Sequence, residues 1–257
     1  VATGTVFVDK NGNHALDADE TGLAGVSVSN SRDVVQTDAS GRYSLPVDDD
    51  SIVFVVKPTG YRTVIDKDHL SRFYYIHKPA GSPTNLGFPG VEPTGPLPKQ
   101  INFPLQPMKE DATFDVVFFG DPQPRDQKEI DYIAHDVVED LVGVDAAFGV
   151  TLGDILFNDL SLFDSFNRTI GKIGIPWYNV IGNHDINFAA ETDELSDETY
   201  ERVYGPAYFS FNYGSVHFIV VDDIHWMKEG DNMHYRSGLS EKQLAFIEND
   251  LKAVPQV

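Results

Sequence analysis

The sequence predicts two domains, an N-terminal antiparallel β-sandwich followed by an α/β layered domain. Residues 1–107 alternate short apolar runs with Gly, Asp, Asn, Ser and Pro, at the intervals typical of short strands joined by tight turns. Residues 108–257 instead alternate strand-like apolar runs with segments whose apolar residues recur at helical spacing. That alternation predicts a layered sheet whose first strands are parallel.

Seven strands are predicted in the first domain, and they are expected at residues 5–8, 26–29, 34–37, 42–45, 52–56, 73–76 and 101–105. Residues 79–99 contain six prolines and little periodicity, which predicts an extended connector. In the second domain, strands are expected at residues 114–119, 146–152, 176–180, 207–211 and 216–221. Helices are expected at 127–143, at 159–172 and after Ser240, which with Gln243 forms a capping box.

Polar motifs follow three of the predicted strands of the second domain. They are Gly120-Asp121-Pro122-Gln123, Gly153-Asp154 and Gly182-Asn183-His184-Asp185. Because ligands gather at the carboxyl ends of strands in such sheets, we expect the three motifs to meet at one edge. The glycine at the start of each motif lets the backbone turn sharply and come close to a bound ion.

These residue types predict a site for two divalent cations. The carboxylate of Asp154 can bridge two ions roughly 3.5–4 Å apart. Asp121 and the carbonyl of Gln123 add oxygen donors to one ion, and the carbonyl of Asn183 adds one to the other. Such ions polarise a phosphoryl oxygen and lower the pKa of a bound water. His184 is then placed to protonate the leaving oxygen or to stabilise the charge that builds on the phosphoryl group.

Residues of about 113–257 resemble the calcineurin-like metallophosphoesterase superfamily, whose motifs follow the order Asp-x-His, Gly-Asp and Gly-Asn-His-(Asp/Glu). The resemblance implies ligand roles for Asp121, Gln123, Asp154 and Asn183, and a general-acid role for His184. It also implies two divalent ions, such as Mn, Fe, Zn or Mg. Gln123 replaces the usual His, and its carbonyl is an acceptable donor for a hard ion.

The chain also departs from the family pattern near its end. The family's last ligands are a His after the next strand and a Gly-His-x-His segment, and the sequence stops at Val257 before either. We therefore expect an N-terminal portion of a longer enzyme, with an incomplete metal site and poor hydrolysis. His217 is expected to be a packed or edge residue, and His225 and His234 to lie in a surface loop. Asp159 could orient His184 or, as we favour, cap a helix.

A second metal motif is found in the first domain at residues 9–20. Its spacing matches the EF-hand loop, with oxygen donors expected from Asp9, Asn11, Asn13, the carbonyl of Ala15, Asp17 and Glu20. His14 replaces the glycine that normally makes the sharp turn, and no helices are expected beside the loop. Residues of about 3–57 resemble the calcium-stiffened B-type repeats of bacterial surface adhesins, which are prealbumin- or immunoglobulin-like sandwiches. The alternative is a polar hairpin without an ion.

Charge and composition limit the function further. The net charge is −21, of which −18 falls on residues 108–257. Such a surface repels nucleic acids, so we expect a small or medium phosphate ester (monoester or diester) rather than a nuclease substrate. There are no cysteines, no apolar run long enough to span a membrane, and no initial Met. We expect a secreted or periplasmic bacterial enzyme; the alternative is a non-catalytic extracellular scaffold module.

Overall fold

The chain has a mixed, sheet-rich fold with several small sheets, in a computed structural model that describes residues 1–230 and 232–254. Ten strands form in the first 107 residues. They are β1 (Ala2–Val8), β2 (Ser27–Ser29), β3 (Val34–Gln36), β4 (Arg42–Leu45), β5 (Ser51–Val55), β6 (Tyr61–Arg62), β7 (Val64–Ile65), β8 (Ser71–Arg72), β9 (Tyr74–His77) and β10 (Phe103–Pro107). All seven strands predicted for this part are present, and residues 79–99 contain neither helix nor strand.

Eight of these strands form two four-stranded sheets. The first sheet has the order β4-β1-β10-β6, and the second has the order β3-β2-β5-β9. The prediction of a purely antiparallel arrangement is wrong for one pair, because β1 and β10 run parallel, with Val6 opposite Phe103. The long stretch between these two strands lets the chain return to the same end of the sheet, which a tight hairpin cannot do.

The remaining elements alternate strands and helices before an antiparallel region. They are β11 (Val116–Phe119), α1 (Gln127–Ile133), a π-helical turn (Ala134–Val138), α2 (Glu139–Leu141), β12 (Phe148–Leu152), α3 (Phe163–Ile170), β13 (Trp177–Val180), α4 (Glu198–Tyr204), β14 (Phe209–Tyr213), β15 (Val216–Val220), β16 (Ile224–Glu229), β17 (Asn232–Ser237) and α5 (Glu241–Ala253). Strands β11, β12 and β13 form a parallel sheet, which confirms the predicted parallel start. The hydroxyl of Ser240 accepts from the backbone N–H of Gln243 at 3.2 Å, which confirms the predicted cap of α5.

The sequence did not predict helix α4 or the hairpin β16–β17. The hairpin forms where a surface loop holding His225 and His234 was expected. The hairpin is fixed by Trp226, which is 3% exposed and donates from its indole N–H to the carbonyl of Ala190 at 3.0 Å. A contact between residues so far apart in sequence leaves no periodic signal.

One hydrophobic cluster extends across the predicted domain boundary at residue 107. It joins buried residues of the first part, such as Phe54, to Tyr178, Phe211 and Phe246 of the second. The rings of Tyr178 and Phe211 stack at 4.3 Å with an interplanar angle of 8°. Backbone pairing between Leu70 and Trp177 also extends the parallel sheet by a segment from the first part. The two-domain division stays a prediction, since the core is shared.

A cavity of about 410 Å³ lies between the loop at residues 48–50, helix α4 and the start of α5. Seven carboxylates line it together with Lys242: Asp48, Asp50, Asp193, Glu194, Asp197, Glu201 and Asp222. Burial raises the pKa of Glu201 to about 8 and that of Asp222 to about 7. The native fold therefore holds protons on these groups that the unfolded chain releases at a lower pH.

We expect the free energy of unfolding to fall as pH rises from 5 to 9. The pKa values of Glu201 and Asp222 are higher in the folded protein than in the unfolded chain, where they are roughly 4. The stability that these two groups contribute is therefore fully present below about pH 4 and is lost as the pH rises through 7–8. Urea unfolding across this range should show a loss on the order of 1–3 kcal/mol. Glu201→Gln should flatten the slope, whereas Glu248→Gln, an exposed carboxylate on α5, should not. Stability that rises over this range would contradict the account.

Candidate metal centre

The three predicted motifs lie on loops that leave the same edge of the parallel sheet. Phe119 at the end of β11 pairs with Thr151 of β12, and Leu152 at the end of β12 pairs with Val180 of β13. Because the strands are parallel and in register, the loops at residues 120–126, 153–159 and 181–187 begin at one level. The expected convergence of the motifs is therefore present.

Asp121, Gln123 and Asp154 are in direct contact. The side-chain amide of Gln123 donates to Oδ1 of Asp121 at 2.8 Å and also to Oδ2 of Asp154. The backbone N–H of Gln123 donates to the carbonyl of Asp154 at 3.1 Å. The amide nitrogen thus occupies the position between two carboxylates that suits a cation. Rotating this amide by half a turn would direct its carbonyl oxygen to the same place.

The two carboxylates are close enough to affect each other. Partial desolvation and the neighbouring Asp154 together raise the pKa of Asp121. Like charges held at hydrogen-bonding distance disfavour full ionisation unless a positive charge lies between them. The arrangement therefore favours a bound cation, and hard divalent ions bind carboxylate and amide oxygens of this kind.

The backbone of these loops adopts an unusual conformation. Asp121, Gln123, Asp154 and Asn158 have positive φ angles of 61°, 41°, 46° and 67°. They are four of the seven non-glycine residues with positive φ in the described part of the chain, so this conformation is concentrated at the site. A left-handed backbone conformation at a residue such as Gln costs about 1–3 kcal/mol of free energy. It is retained where contacts with the surrounding residues hold the backbone in that conformation.

The glycines of the three motifs differ in their roles. Gly153 has a φ of +80°, and a methyl group added at Gly182 would lie 2.1 Å from the backbone nitrogen of Asp154. Both positions therefore need glycine, as predicted. The prediction is wrong for Gly120, which has ordinary φ and open space around its Cα. At that motif Asp121 itself takes the left-handed conformation.

His184 is held by the loop that follows β12. Its backbone N–H donates to Oδ1 of Asp154 at 3.1 Å, and its Nδ1 lies 2.7 Å from Oδ1 of Asn158. The backbone N–H of Asn158 also donates to the carbonyl of His184 at 3.2 Å. Since the Asn158 oxygen can only accept, it favours a proton on Nδ1 and leaves Nε2 for chemistry.

The sequence did not single out Asn158. Of the two roles considered for Asp159, capping is confirmed, because its carboxylate accepts from the N–H of Ser161 at 3.2 Å and from the hydroxyl of Ser161 at 2.6 Å. The residue that orients His184 is its neighbour Asn158. The only feature of the sequence that could have indicated Asn158 is a polar residue between Phe157 and the helix cap Asp159.

Asp185 joins two of the three loops. It is fully buried, and its carboxylate accepts from the backbone N–H groups of Gly182, Ile155 and Leu156 at 2.9–3.0 Å. Burial raises its pKa to about 8, although the three N–H groups oppose this effect. Removing Asp185 would leave three buried donors unpaired, so we assign it a positioning role.

Asn183 lies in the same turn between two residues that contact Asp154. It is half-buried, with Gly182 packed on the backbone of Asp154 and His184 bonded to its carboxylate. The other histidines have different surroundings. His217 is packed as predicted, with Nδ1 2.9 Å from Asn212 and Nε2 2.7 Å from Asp250. His225, expected in a surface loop, lies on β16 with its Nδ1 2.8 Å from Asp193.

A second group of carboxylates lies at α4. Donor atoms of Asp50, Glu198 and Glu201 lie within 4.8 Å of one another, close enough to share an ion. The ammonium of Lys78 already pairs with Asp50 at 2.9 Å and with Glu198. An internal cation therefore satisfies much of this group.

The loop at residues 9–20 folds around its own oxygen atoms. The side-chain amides of Asn11 and Asn13 both donate to Oδ2 of Asp17, at 2.8 and 2.9 Å. Asp9 is buried, and its carboxylate accepts from the N–H of Gly12 at 2.7 Å. Asn13 Oδ1 accepts from the N–H of Ala15 at 2.8 Å, and Oε2 of Glu20 accepts from that of Asp17 at 3.1 Å. Calcium binding at this loop stays a prediction.

His14 takes the conformation that an EF-hand loop requires of its sixth residue. Its φ is 63°, in the left-handed region usually occupied by glycine. The loop joins strand β1 to strand β2. The departure at His14 is therefore compatible with the turn.

Residues 8–92 match the family model described as MetallophosN, the N terminal of calcineurin-like phosphoesterase. This match confirms the predicted resemblance to the calcineurin-like phosphoesterases. The segment that resembles adhesin repeats is thus similar to the N-terminal part of calcineurin-like phosphoesterases. No curated protein matches the chain.

One solved structure to which the chain is similar is the purple acid phosphatase PPD1 from yellow lupin (Lupinus luteus) seeds. The two share 15% sequence identity with a TM-score of 0.40, over 90% of this chain and 48% of that one. The chain therefore spans about half the length of that protein. A likeness of this size carries no argument about function.

We expect Gly182→Ala to disturb the site, because the new methyl group would lie 2.1 Å from Asp154 N and 2.2 Å from its Oδ1. The cost should be about 1–3 kcal/mol of unfolding free energy, measured in urea. Gly120→Ala is the matched control at the same edge, since nothing lies within 4 Å of its added methyl group. If both variants were equally stable, Asp154 would not be held as described.

Proposed function

We propose that this protein is a metal-dependent phosphoester hydrolase, with its ions held among Asp121, Gln123, Asp154 and Asn183. The observation that carries the proposal is the position of the Asp154 carboxylate. One of its oxygens faces Gln123 and Asp121, and the other accepts from the N–H of His184. A carboxylate placed between the two halves of a site can bind an ion on each side.

The donor set favours hard divalent ions. Asp121 and Asp154 supply carboxylate oxygens, and Gln123 and Asn183 supply carbonyl oxygens. Oxygen donors suit Mn²⁺ or Mg²⁺ better than they suit ions that prefer imidazole. Four oxygen-bearing side chains are enough ligands for one such ion but too few to bind two ions tightly. We therefore infer one firm site beside Asp121 and a weaker one beside Asn183, with slow hydrolysis by this chain alone. Bound ions would polarise the phosphoryl group and acidify a water.

His184 would supply a proton, and its neighbours Asn158 and Phe157 position its ring. Asn158 keeps the proton of His184 on Nδ1, so the second proton of the imidazolium form, on Nε2, is the one that would be given to the leaving oxygen. Phe157 stacks on the imidazole with ring centroids 4.4 Å apart and limits its rotation. Both contacts hold His184 in one orientation before a substrate arrives, and this reduces the entropic cost of reaction.

We expect Mn²⁺-dependent hydrolysis of phenyl phosphate or bis(p-nitrophenyl) phosphate. Asp154→Asn should abolish saturable Mn²⁺ binding by calorimetry, because the site loses its shared carboxylate. His184→Asn should keep Mn²⁺ binding and lower kcat by roughly 10²–10⁴.

Asp159→Asn is the control for these variants, since Asp159 only caps the turn at Ser161. It should bind Mn²⁺ and hydrolyse both esters as the parent does. Hydrolysis that persists in the Asp154→Asn variant, or that is unchanged when a metal chelator is added, would contradict the proposal.

The second candidate function is that of a non-catalytic extracellular scaffold, and the small donor set favours it. A scaffold would be distinguished from an enzyme by saturable Mn²⁺ binding without hydrolysis of either ester. A nuclease is disfavoured by the charge of −18 on residues 108–257, which repels polyanions. We therefore propose a small or medium phosphate ester as the substrate.

We also propose that the protein is bacterial and acts outside the cytoplasm, in the periplasm or after secretion. No helix among residues 1–230 and 232–254 is long and apolar enough to cross a membrane. The loop at residues 9–20 supports the location, because extracellular modules use sites of this kind at calcium concentrations of about 10⁻⁴–10⁻³ M. We propose that this loop binds Ca²⁺ through Asp9, Asp17 and Glu20, with Asn11, Asn13 and the Ala15 carbonyl.

We expect Ca²⁺ at about ten times its Kd to stabilise the fold by about 1.4 kcal/mol, a rise in Tm of about 2–4 °C. Glu20→Gln should remove this rise, because it weakens the last ligand. Asp19→Asn is the matched control, since its side chain is 83% exposed and lies outside the ligand positions. Equal Tm values in Ca²⁺ and in chelator would refute the calcium site.

A further inference from the structure

We propose that Arg125 binds a second anionic group of the substrate, so that the site prefers phosphate esters that also carry a phosphate or carboxylate. This inference rests on the proposed function and names a substrate class for the same site. Its basis is the position of one guanidinium beside the metal centre.

Arg125 is the only Lys or Arg on the three loops of the site, at residues 120–126, 153–159 and 181–187. It follows Gln123 by two residues, in a part of the chain whose net charge is −18. An anionic group at a distance from the metal ions would meet mainly carboxylates here. Arg125 is the side chain that these loops offer to such a group.

The guanidinium of Arg125 and the imidazole of His184 pack against the same aromatic ring. Its carbon lies 4.7 Å above the ring centroid of Phe157, and the imidazole of His184 stacks on the same ring at 4.4 Å. Because both groups pack on one ring, the guanidinium carbon lies within about 9 Å of the imidazole centroid. At roughly 1.5 Å per covalent bond, that limit fits two anionic groups separated by up to about six bonds.

The donors of Arg125 are available to a ligand. Its side chain is 63% exposed, and its nearest acidic partner, Oε1 of Glu129, is 3.6 Å from Nη1, beyond hydrogen-bonding distance. The other oxygen of Glu129 is engaged by the backbone N–H of Arg125 at 2.7 Å. Within the described part of the chain the guanidinium makes no side-chain hydrogen bond, so its fork can bind a carboxylate or phosphate bidentately.

The same contacts disfavour a different use of Phe157. Arg125 and His184 both pack against its ring, so a nucleobase or another planar group would compete with them for it. Selectivity at this end of the site therefore depends on charge. A purely supporting role for Arg125, as a cation over Phe157, is the competing explanation.

Binding of non-hydrolysable analogues to the Mn²⁺-loaded protein tests the proposal. Calorimetry compares benzylphosphonate with 4-(phosphonomethyl)benzoate, which adds one carboxylate at the far end of the ring. We expect the carboxylated compound to bind at least tenfold more tightly. Arg125→Gln should lower this ratio about tenfold, and Arg125→Lys should restore part of it.

Lys128→Gln is the matched control, because it removes one positive charge from α1, where Lys128 lies over Tyr132. It should keep the ratio of the parent. Equal affinities for the two compounds, binding of neither, or an unchanged ratio in Arg125→Gln would overturn the proposal. Turnover of phenyl phosphate is measured separately, so hydrolysis without discrimination rejects the role of Arg125 and leaves the phosphoesterase proposal intact.

Discussion

The placement of the Asp154 carboxylate is the constraint on which the candidate site depends. Its oxygens accept from Gln123 on one side and from His184 on the other, so it joins the first and third loops. Gly182 permits the close approach, because a side chain at that position would occupy the same space as Asp154. Asp185 then ties the third loop to the second by accepting from the backbone N–H groups of Ile155 and Leu156.

This placement concentrates unfavourable features in a small volume. Two carboxylates lie together, and four side chains occupy left-handed backbone. Such features persist when the surrounding packing is strong enough to hold them, and here the buried core around β12 and β13 provides that packing. A bound divalent ion would relieve the repulsion between the carboxylates. In a chain of net charge −21, it would also supply positive charge for an anionic substrate.

Sequence patterns predicted the three motifs and the edge where they meet, because strand ends and parallel order follow from local hydrophobic runs. They did not predict Asn158, whose role depends on its left-handed backbone and on a hydrogen bond to His184. They also missed the hairpin β16–β17, which is fixed by the distant contact of Trp226 with Ala190. The parallel pairing of β1 with β10 was missed for the same reason, since it joins segments about a hundred residues apart.

The central claim is that Asp121 and Asp154 share a divalent cation. Anomalous diffraction from crystals grown with Mn²⁺ tests it most directly, because the ion is located without reference to activity. We expect a peak within about 2.0–2.6 Å of carboxylate oxygens of both residues, with the Gln123 carbonyl turned toward it. An anomalous map with no peak between these carboxylates at saturating Mn²⁺ would contradict the account.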